Sequence, residues 1–233
     1  MTDVMKLGPY DLNQIYTGDA RELAKAIPDS SVDLIFTDPV YDRIDDYRWL
    51  AETAARVLKP DRACLAFVGV PYLPETHNAL RMGGLSYRWR VVFRIIFGSG
   101  SGSWRGKIQT GTQELLIYQK GQARMLSSLF DHIQIVRKEY GSEMRRDGTR
   151  VWGKPLETGI HPIRAFCNPG DIVADFFTGG GTVPAVAKML GVNYWACEID
   201  PATAELARKR VEQTQPPLFV MPQPEQTTFE DLL

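Results

Sequence analysis

Two short strings in this chain carry residue types that could do chemistry together. The first is Asp38-Pro39-Val40-Tyr41, directly after the apolar run Val32-Asp33-Leu34-Ile35-Phe36. An amino group on an aromatic ring is a poor nucleophile, because its lone pair is delocalised into the ring. A carboxylate and a backbone carbonyl set side by side can accept both of its hydrogens and bias the nitrogen toward a geometry from which it can attack. Asp38 offers the carboxylate, Pro39 the carbonyl, and Tyr41 an aromatic face on which an extruded ring can stack. The reaction such a string suits is in-line attack on an electrophilic carbon, with positioning contributing much of the rate.

The second string is Asp175-Phe176-Phe177-Thr178-Gly179-Gly180-Gly181-Thr182, which follows Ile172-Val173-Ala174 and opens a helical pattern. Glycines let a ligand approach the backbone, and a helix N-terminus offers unpaired N–H groups to an anion. The turn lacks the spacing of a dinucleotide fingerprint and has no GK[ST], so it serves neither NAD nor ATP phosphates well. A smaller ligand with a carboxylate and an adenosine fits better. Glu198, about 20 residues on at the end of the next apolar run, stands where a carboxylate accepts hydrogen bonds from ribose hydroxyls. Either string alone is common as a simple turn; the pair is more specific.

The elements that must position them read as an α/β pattern. Gln14-Ile15-Tyr16, Val32 to Phe36, Ala63 to Val68, Asp171 to Asp175 and Tyr194 to Glu198 are expected strands. Helices are expected from about Arg21 to Ile27, Tyr47 to Leu58, Leu156 to Phe166, Thr182 to Leu190 and Ala202 to Val211. Alternation of this kind implies a doubly wound, mostly parallel sheet covered on both faces. Arg88 to Phe97 and Gln113 to Tyr118 are further strands, joined by the flexible Gly98-Ser99-Gly100-Ser101-Gly102-Ser103, while 120–153 shows little periodicity and is expected to be irregular. The Pro- and Gln-rich 213–233 is expected to be an extended tail.

A length of 233 residues fits one domain with insertions. No apolar run approaches the ~20 residues of a membrane span, and the N-terminus does not read as a signal peptide, which argues for the cytoplasm. Cys64, Cys167 and Cys197 lie in separate apolar stretches, and His77, His132 and His161 are scattered, so neither a disulfide framework nor a metal site is expected. The net charge is −1 but unevenly spread. Residues 1–75 carry 8 basic against 13 acidic side chains, 76–156 carry 14 against 5, and 157–233 carry 5 against 10. A basic middle between acidic flanks suits a face that meets a polyanion.

The two strings, in this order, resemble the DNA amino-methyltransferases of the circularly permuted β group, the N6-adenine/N4-cytosine family. The resemblance covers about residues 12–70 and 150–212. Thr178-Gly179-Gly180-Gly181-Thr182 after Asp175-Phe176-Phe177 is similar to the family's DPF-x-GSGTT loop. Lys154-Pro155 matches its KP element near the methionine end of the cofactor, Gly191 to Asp200, with Glu198-Ile199-Asp200, the segment with the ribose-binding acid, and Tyr16-Thr17-Gly18-Asp19 an element near the adenine.

This resemblance implies a single S-adenosylmethionine-dependent methyltransferase domain with a seven-stranded sheet and permuted motif order. It implies S-adenosylmethionine as methyl donor, double-stranded DNA as partner, and base flipping with direct in-line transfer. Asp38, Pro39 and Tyr41 would be catalytic. Asp19, Lys154, Pro155, Asp175, Phe176, Phe177, Thr178, Gly179, Gly181, Thr182 and Glu198 would hold the cofactor, and residues 76–153 would form a small basic target-recognition region. A restriction-modification setting and a homodimer are carried over as expectations. Val40 departs from the usual second proline of DPPY or SPPY, restoring an N–H and loosening the backbone. Asp38 rather than serine leans toward adenine N6 over cytosine N4. A non-catalytic regulator binding DNA and S-adenosylmethionine, or an RNA or small-molecule methyltransferase on the same fold, are the alternatives.

Overall fold

The computed structural model describes residues 5–95, 101–103, 108–129, 131–135 and 153–215. Its elements run β1 (Gln14–Thr17), α1 (Ala20–Leu23, continued by a 3-10 turn at Ala24–Ala26), β2 (Val32–Thr37), α2 (Ile44–Val57), β3 (Leu58–Val68), α3 (Leu73–Met82), β4 (Ser86–Ile95) and β5 (Thr112–Lys120). They continue with β6 (His132–Ile135), α4 (Glu157–Phe166), β7 (Ile172–Asp175), α5 (Thr182–Met189), β8 (Asn193–Glu198) and α6 (Pro201–Gln213). Two short ribbons, Lys6–Leu7 with Tyr10–Asp11 and Ser101–Ser103 with Ile108–Thr110, stand apart from the main sheet.

The main sheet has the order β6-β4-β5-β3-β2-β7-β8-β1. Within it, β5 pairs antiparallel with both β3 and β4, and the remaining pairings are parallel. All six residues of β2 are buried, as befits a central strand covered on both faces. Leu34 and Phe36 point into a core shared with Ile163 of α4, Val183 and Val186 of α5, and Ala207 and Val211 of α6. Ile35 points the other way, into a core with Leu50, Ala54 and Val57 of α2 and Ala79 and Leu80 of α3. Asp33, the charged residue of this strand, accepts from Lys59 Nζ at 2.8 Å and from the Ile172 N–H at 3.0 Å, and pairs with Arg62 at 2.8 Å.

From β2 the chain winds outward through β3; from β7 it winds outward the opposite way through β8. The order therefore reverses between β2 and β7, and open α/β sheets bind ligands outside the carboxyl ends of strands at such a point. Asp38 follows β2 and the glycine turn follows β7, so the crevice receives both strings.

The sheet has eight strands where seven were expected. The addition is β6, which joins the outer edge of β4 in parallel, His132 opposite Val92. It lies in 120–153, expected to be irregular: four residues are too few to show a period, and the open edge of β4 decides the pairing. Helix α3, opened by Leu73-Pro74, is a further element beyond the expected ones. The tail beyond 215 and the whole of 136–152 lie outside the described residues, and no helix among those described is long and apolar enough to cross a membrane.

Candidate active site

Thr37, the last residue of β2, is buried, and its hydroxyl donates to Asp175 Oδ1 at 2.8 Å while accepting from the Phe177 N–H at 3.0 Å. The end of β2 is thereby stitched to the start of the turn after β7. Asp38 comes next. Its Oδ2 lies 2.8 Å from Lys154 Nζ, while Oδ1 is buried without a hydrogen-bond partner. The same ammonium donates to the Tyr41 hydroxyl at 3.0 Å and sits 4.4 Å from the centre of the Phe67 ring. Burial, reinforced by the Asp38 carboxylate, pushes the Tyr41 phenol well above its ordinary value, so it stays neutral. The Tyr41 side chain lies against Gly69, at the end of β3, where an added Cβ would come within 2.9 Å of Tyr41 Cβ. Val40 is half exposed.

Across the crevice, Gly179 (φ 50°) and Gly181 (φ 78°) adopt left-handed backbone that glycine takes without strain. Gly181 is the N-cap of α5, and an added Cβ there would sit 3.0 Å from Ala207 Cβ of α6. Glu198 Oε2 accepts from the Gly179 N–H at 2.9 Å and Oε1 from the Asp200 N–H at 3.0 Å. The Gly18 N–H donates to the Glu198 carbonyl at 3.0 Å, bringing the end of β1 alongside. Asp19 caps α1, accepting from the Arg21 N–H at 2.8 Å. Asp175 is buried under the turn, and desolvation raises its carboxyl to about 7, against hydrogen bonds from Thr37 and the Phe177 N–H that favour the ionised form. A cleft of about 80 Å3 joins the two sides, bounded by Asp38, Phe67, Lys154, Phe177, Gly179 and Thr182.

Lys154 belongs to both sides. Its carbonyl accepts from Thr182 Oγ1 at 2.7 Å and from an Arg210 guanidinium nitrogen at 2.9 Å, while the other Arg210 nitrogen donates to the Gly180 carbonyl at 3.0 Å and to Thr182 Oγ1 at 2.9 Å. Pro155 terminates this segment, its carbonyl accepting from the Thr158 N–H at 3.1 Å at the start of α4.

Most of the residues singled out in the sequence therefore converge on one crevice. Phe176 does not. It is 1% exposed and packs against Trp49 and Trp195, because alternation past β7 turns it into the core while Phe177 faces the cleft. Its part is packing. Thr37, Phe67, Gly69 and Arg210 were not found in the sequence. Ile199, beside Glu198, is an apolar side chain left 67% exposed and is a fifth residue to which the sequence assigned no role. Within the basic block, Arg88 is engaged with Gln119 Oε1 and the Ala123 carbonyl, and Arg90 pairs with Glu114 at 3.4 Å. Arg81 and Arg94 are exposed, and Arg105, Lys107, Arg137, Lys138, Arg145, Arg146 and Arg150 lie outside the described residues.

A carboxylate with a spare oxygen, an aromatic ring and a glycine-lined turn backed by an acid now face one another. The model of a DNA methylase family, N6_N4_Mtase, matches residues 32–209, which takes in both halves of this site. The chain belongs to that DNA methylase family.

Curated relatives agree. The chain is 26% identical over 238 residues to the type II methyltransferase M.HpaI of Haemophilus parainfluenzae, covering 85% of this chain and 74% of that protein. It is also 26% identical over 264 residues to the type II methyltransferase M.BamHI of Bacillus amyloliquefaciens, covering 90% of this chain but only 60% of that one. Solved structures share the fold. The complex of M1.HpyAVI with SAM superposes with a TM-score of 0.70 at 22% identity, covering 85% of this chain and 98% of that one. The cytosine-N4-specific PvuII DNA methyltransferase gives 0.70 at 17%, covering 84% and 85%.

This DNA methylase uses S-adenosylmethionine as its cofactor, and the residues present fit it. The turn bears no side chain at Gly179, Gly180 and Gly181, the N-terminus of α5 faces it, and Glu198 holds its carboxylate at the turn with apolar Ile199 alongside.

Proposed function

We propose that this DNA methylase methylates the exocyclic N6 of adenine in double-stranded DNA, on a base flipped out of the helix. The observation that carries the reading is the divided Asp38 carboxylate. One oxygen is held by Lys154 and the other is buried and unpartnered, beside Tyr41 and opposite the cofactor turn. A buried acceptor without a donor is costly, and an incoming amino N–H satisfies it. The Pro39 carbonyl takes the second hydrogen and Tyr41 stacks on the base. Bound S-adenosylmethionine supplies an electrophilic methyl group on a sulfonium. The Gly179–Gly181 backbone and the N-terminus of α5 would receive its methionine end, with Thr178, Thr182 and the Lys154-Pro155 backbone as walls. Glu198 would accept from the ribose hydroxyls, and Asp19, Phe177 and Ile199 would border the adenine. Asp175 holds the turn from beneath through Thr37 and the Phe177 N–H. Residues 76–153 serve target recognition, their arginines and lysines meeting phosphates and giving salt-sensitive affinity.

A second reading, methylation of cytosine N4, has the fold likeness to the cytosine-N4-specific PvuII enzyme in its favour. The test is transfer of labelled methyl from S-adenosylmethionine to unmethylated, undigested genomic DNA, followed by nucleoside analysis. Label in N6-methyladenosine is the expected result. Label in N4-methylcytosine keeps the mechanism and changes the base. DNA binding without release of S-adenosylhomocysteine points to a non-catalytic regulator, with Val40 the first residue to examine.

A further inference from the structure

The ammonium of Lys154 is committed to the catalytic string rather than left open toward the cofactor turn. An ammonium has three donors and no acceptor. Two of those donors reach Asp38 Oδ2 at 2.8 Å and the Tyr41 hydroxyl at 3.0 Å, and the Phe67 ring lies 4.4 Å below. The Lys154 side chain is only 14% exposed and that of Asp38 36%, so the pair is partly withdrawn from water, where charge-assisted hydrogen bonds are strong. The Lys154 backbone is anchored separately, through its carbonyl, to Thr182 and Arg210. The main chain of this residue thus belongs to the cofactor turn and its side chain to the catalytic carboxylate.

We propose that Lys154 is a positioning residue for methyl transfer: its ammonium fixes the rotation of the Asp38 carboxylate and its spacing from Tyr41, so that Oδ1, the oxygen without a hydrogen-bond partner, is the one kept for the amino group. A free carboxylate turns about its terminal torsion, which is broad and two-fold. With Oδ2 pinned, the acceptor has one direction, and the Tyr41 ring is held at a set distance from it by the same nitrogen. Because the Lys154 carbonyl is tied to the turn that receives the cofactor, this direction is registered to the methyl donor. The proposal rests on Asp38 being the acceptor of the target amine. It differs from a role for the side chain in gripping the cofactor, for which only the third donor of the ammonium remains.

The test compares wild type with Lys154→Met, which keeps the stem, and Lys154→Arg, which keeps charge and donors. S-adenosylmethionine affinity is measured by calorimetry, and transfer to DNA at saturating cofactor. For Lys154→Met the expected result is a kcat lower by roughly 10- to 100-fold with cofactor Kd within about 3-fold, and Lys154→Arg recovering most of the rate, since losing an alignment that is used only in the transition state lowers kcat and leaves cofactor binding intact. A loss of cofactor affinity of about tenfold or more, with kcat preserved at saturation, overturns the proposal, as does an unchanged kcat. If wild type methylates no DNA, the functional reading fails, and the affinity arm still decides whether the ammonium serves the cofactor.

Discussion

The Thr37 hydroxyl donates to Asp175 Oδ1 at 2.8 Å, joining the carboxyl ends of two strands that are 138 residues apart in sequence. The same hydroxyl accepts from the Phe177 N–H, so three groups close the floor of the crevice with no water-exposed member except through Phe177. The carboxyl at its centre is the one that burial lifts to about 7.

That shift fixes the sign of a pH effect. Asp175 binds its proton more tightly folded than unfolded, so its contribution to stability is fully present below about 4 and is lost as pH rises toward 7, falling by about 1.4 kcal/mol per unit across the window. Asp175→Asn removes this dependence while keeping an acceptor for Thr37. The variant is expected to melt higher than wild type at pH 8, by roughly 2–4 °C for each kcal/mol recovered, with the gap closing toward pH 5. Calorimetric melts at the two pH values check it; a constant gap refutes it.

Asp38→Ala removes the acceptor for the amine while leaving the glycine turn and Glu198 in place. Transfer to DNA is expected to fall by at least about 100-fold, with S-adenosylmethionine affinity changed by no more than a few-fold. Retained transfer at the normal rate would show that the carboxylate is not the acceptor.

Glu198→Ala is its complement. The Gly179 N–H loses its partner and the ribose its acceptor, and hydrogen bonds to a charged group contribute about 1.5–3 kcal/mol, so cofactor Kd is expected to rise roughly 10- to 100-fold. With saturating cofactor the rate should largely return.

Gly69→Ala tests the seat of Tyr41. The added methyl meets Tyr41 Cβ at 2.9 Å and must push the ring off its position, at a cost of about 1–3 kcal/mol. Lower kcat with intact cofactor binding is expected; a variant with wild-type kinetics would mean that the ring position is unimportant.

Much of this site was legible in the sequence because its signals are local. The apolar run Val32 to Phe36 ends in Asp38-Pro39, and the run ending at Asp175 opens on three glycines, so strand, turn and helix were each marked by residues in contact with them in sequence. What escaped notice depends on distance. Thr37 is only one more residue of a buried strand until Asp175 is laid beside it. Arg210 looks like a surface arginine of a polar helix until α6 packs over the turn. Gly69 is an unremarked strand end until Tyr41 arrives. Phe176 went astray for a simpler reason: the family loop suggested a ligand contact where alternation points the ring inward. β6 was missed because its pairing depends on the free edge of β4 rather than on its own four residues.

The brace formed by Arg210 has a consequence for the order in which the enzyme comes into being. Asp38 is among the first parts of the site to be synthesised, and Arg210 almost the last. At about 5–20 residues per second, roughly 10–30 seconds of translation separate them. Until α6 has emerged and packed, the carbonyls of Lys154 and Gly180 lack their shared donor. A nascent or truncated chain that ends before α6 holds the reactive string but not its registration to the methyl donor. Competence thus waits on α6, the last of the described helices, and a chain that ends before it is expected to transfer no methyl group.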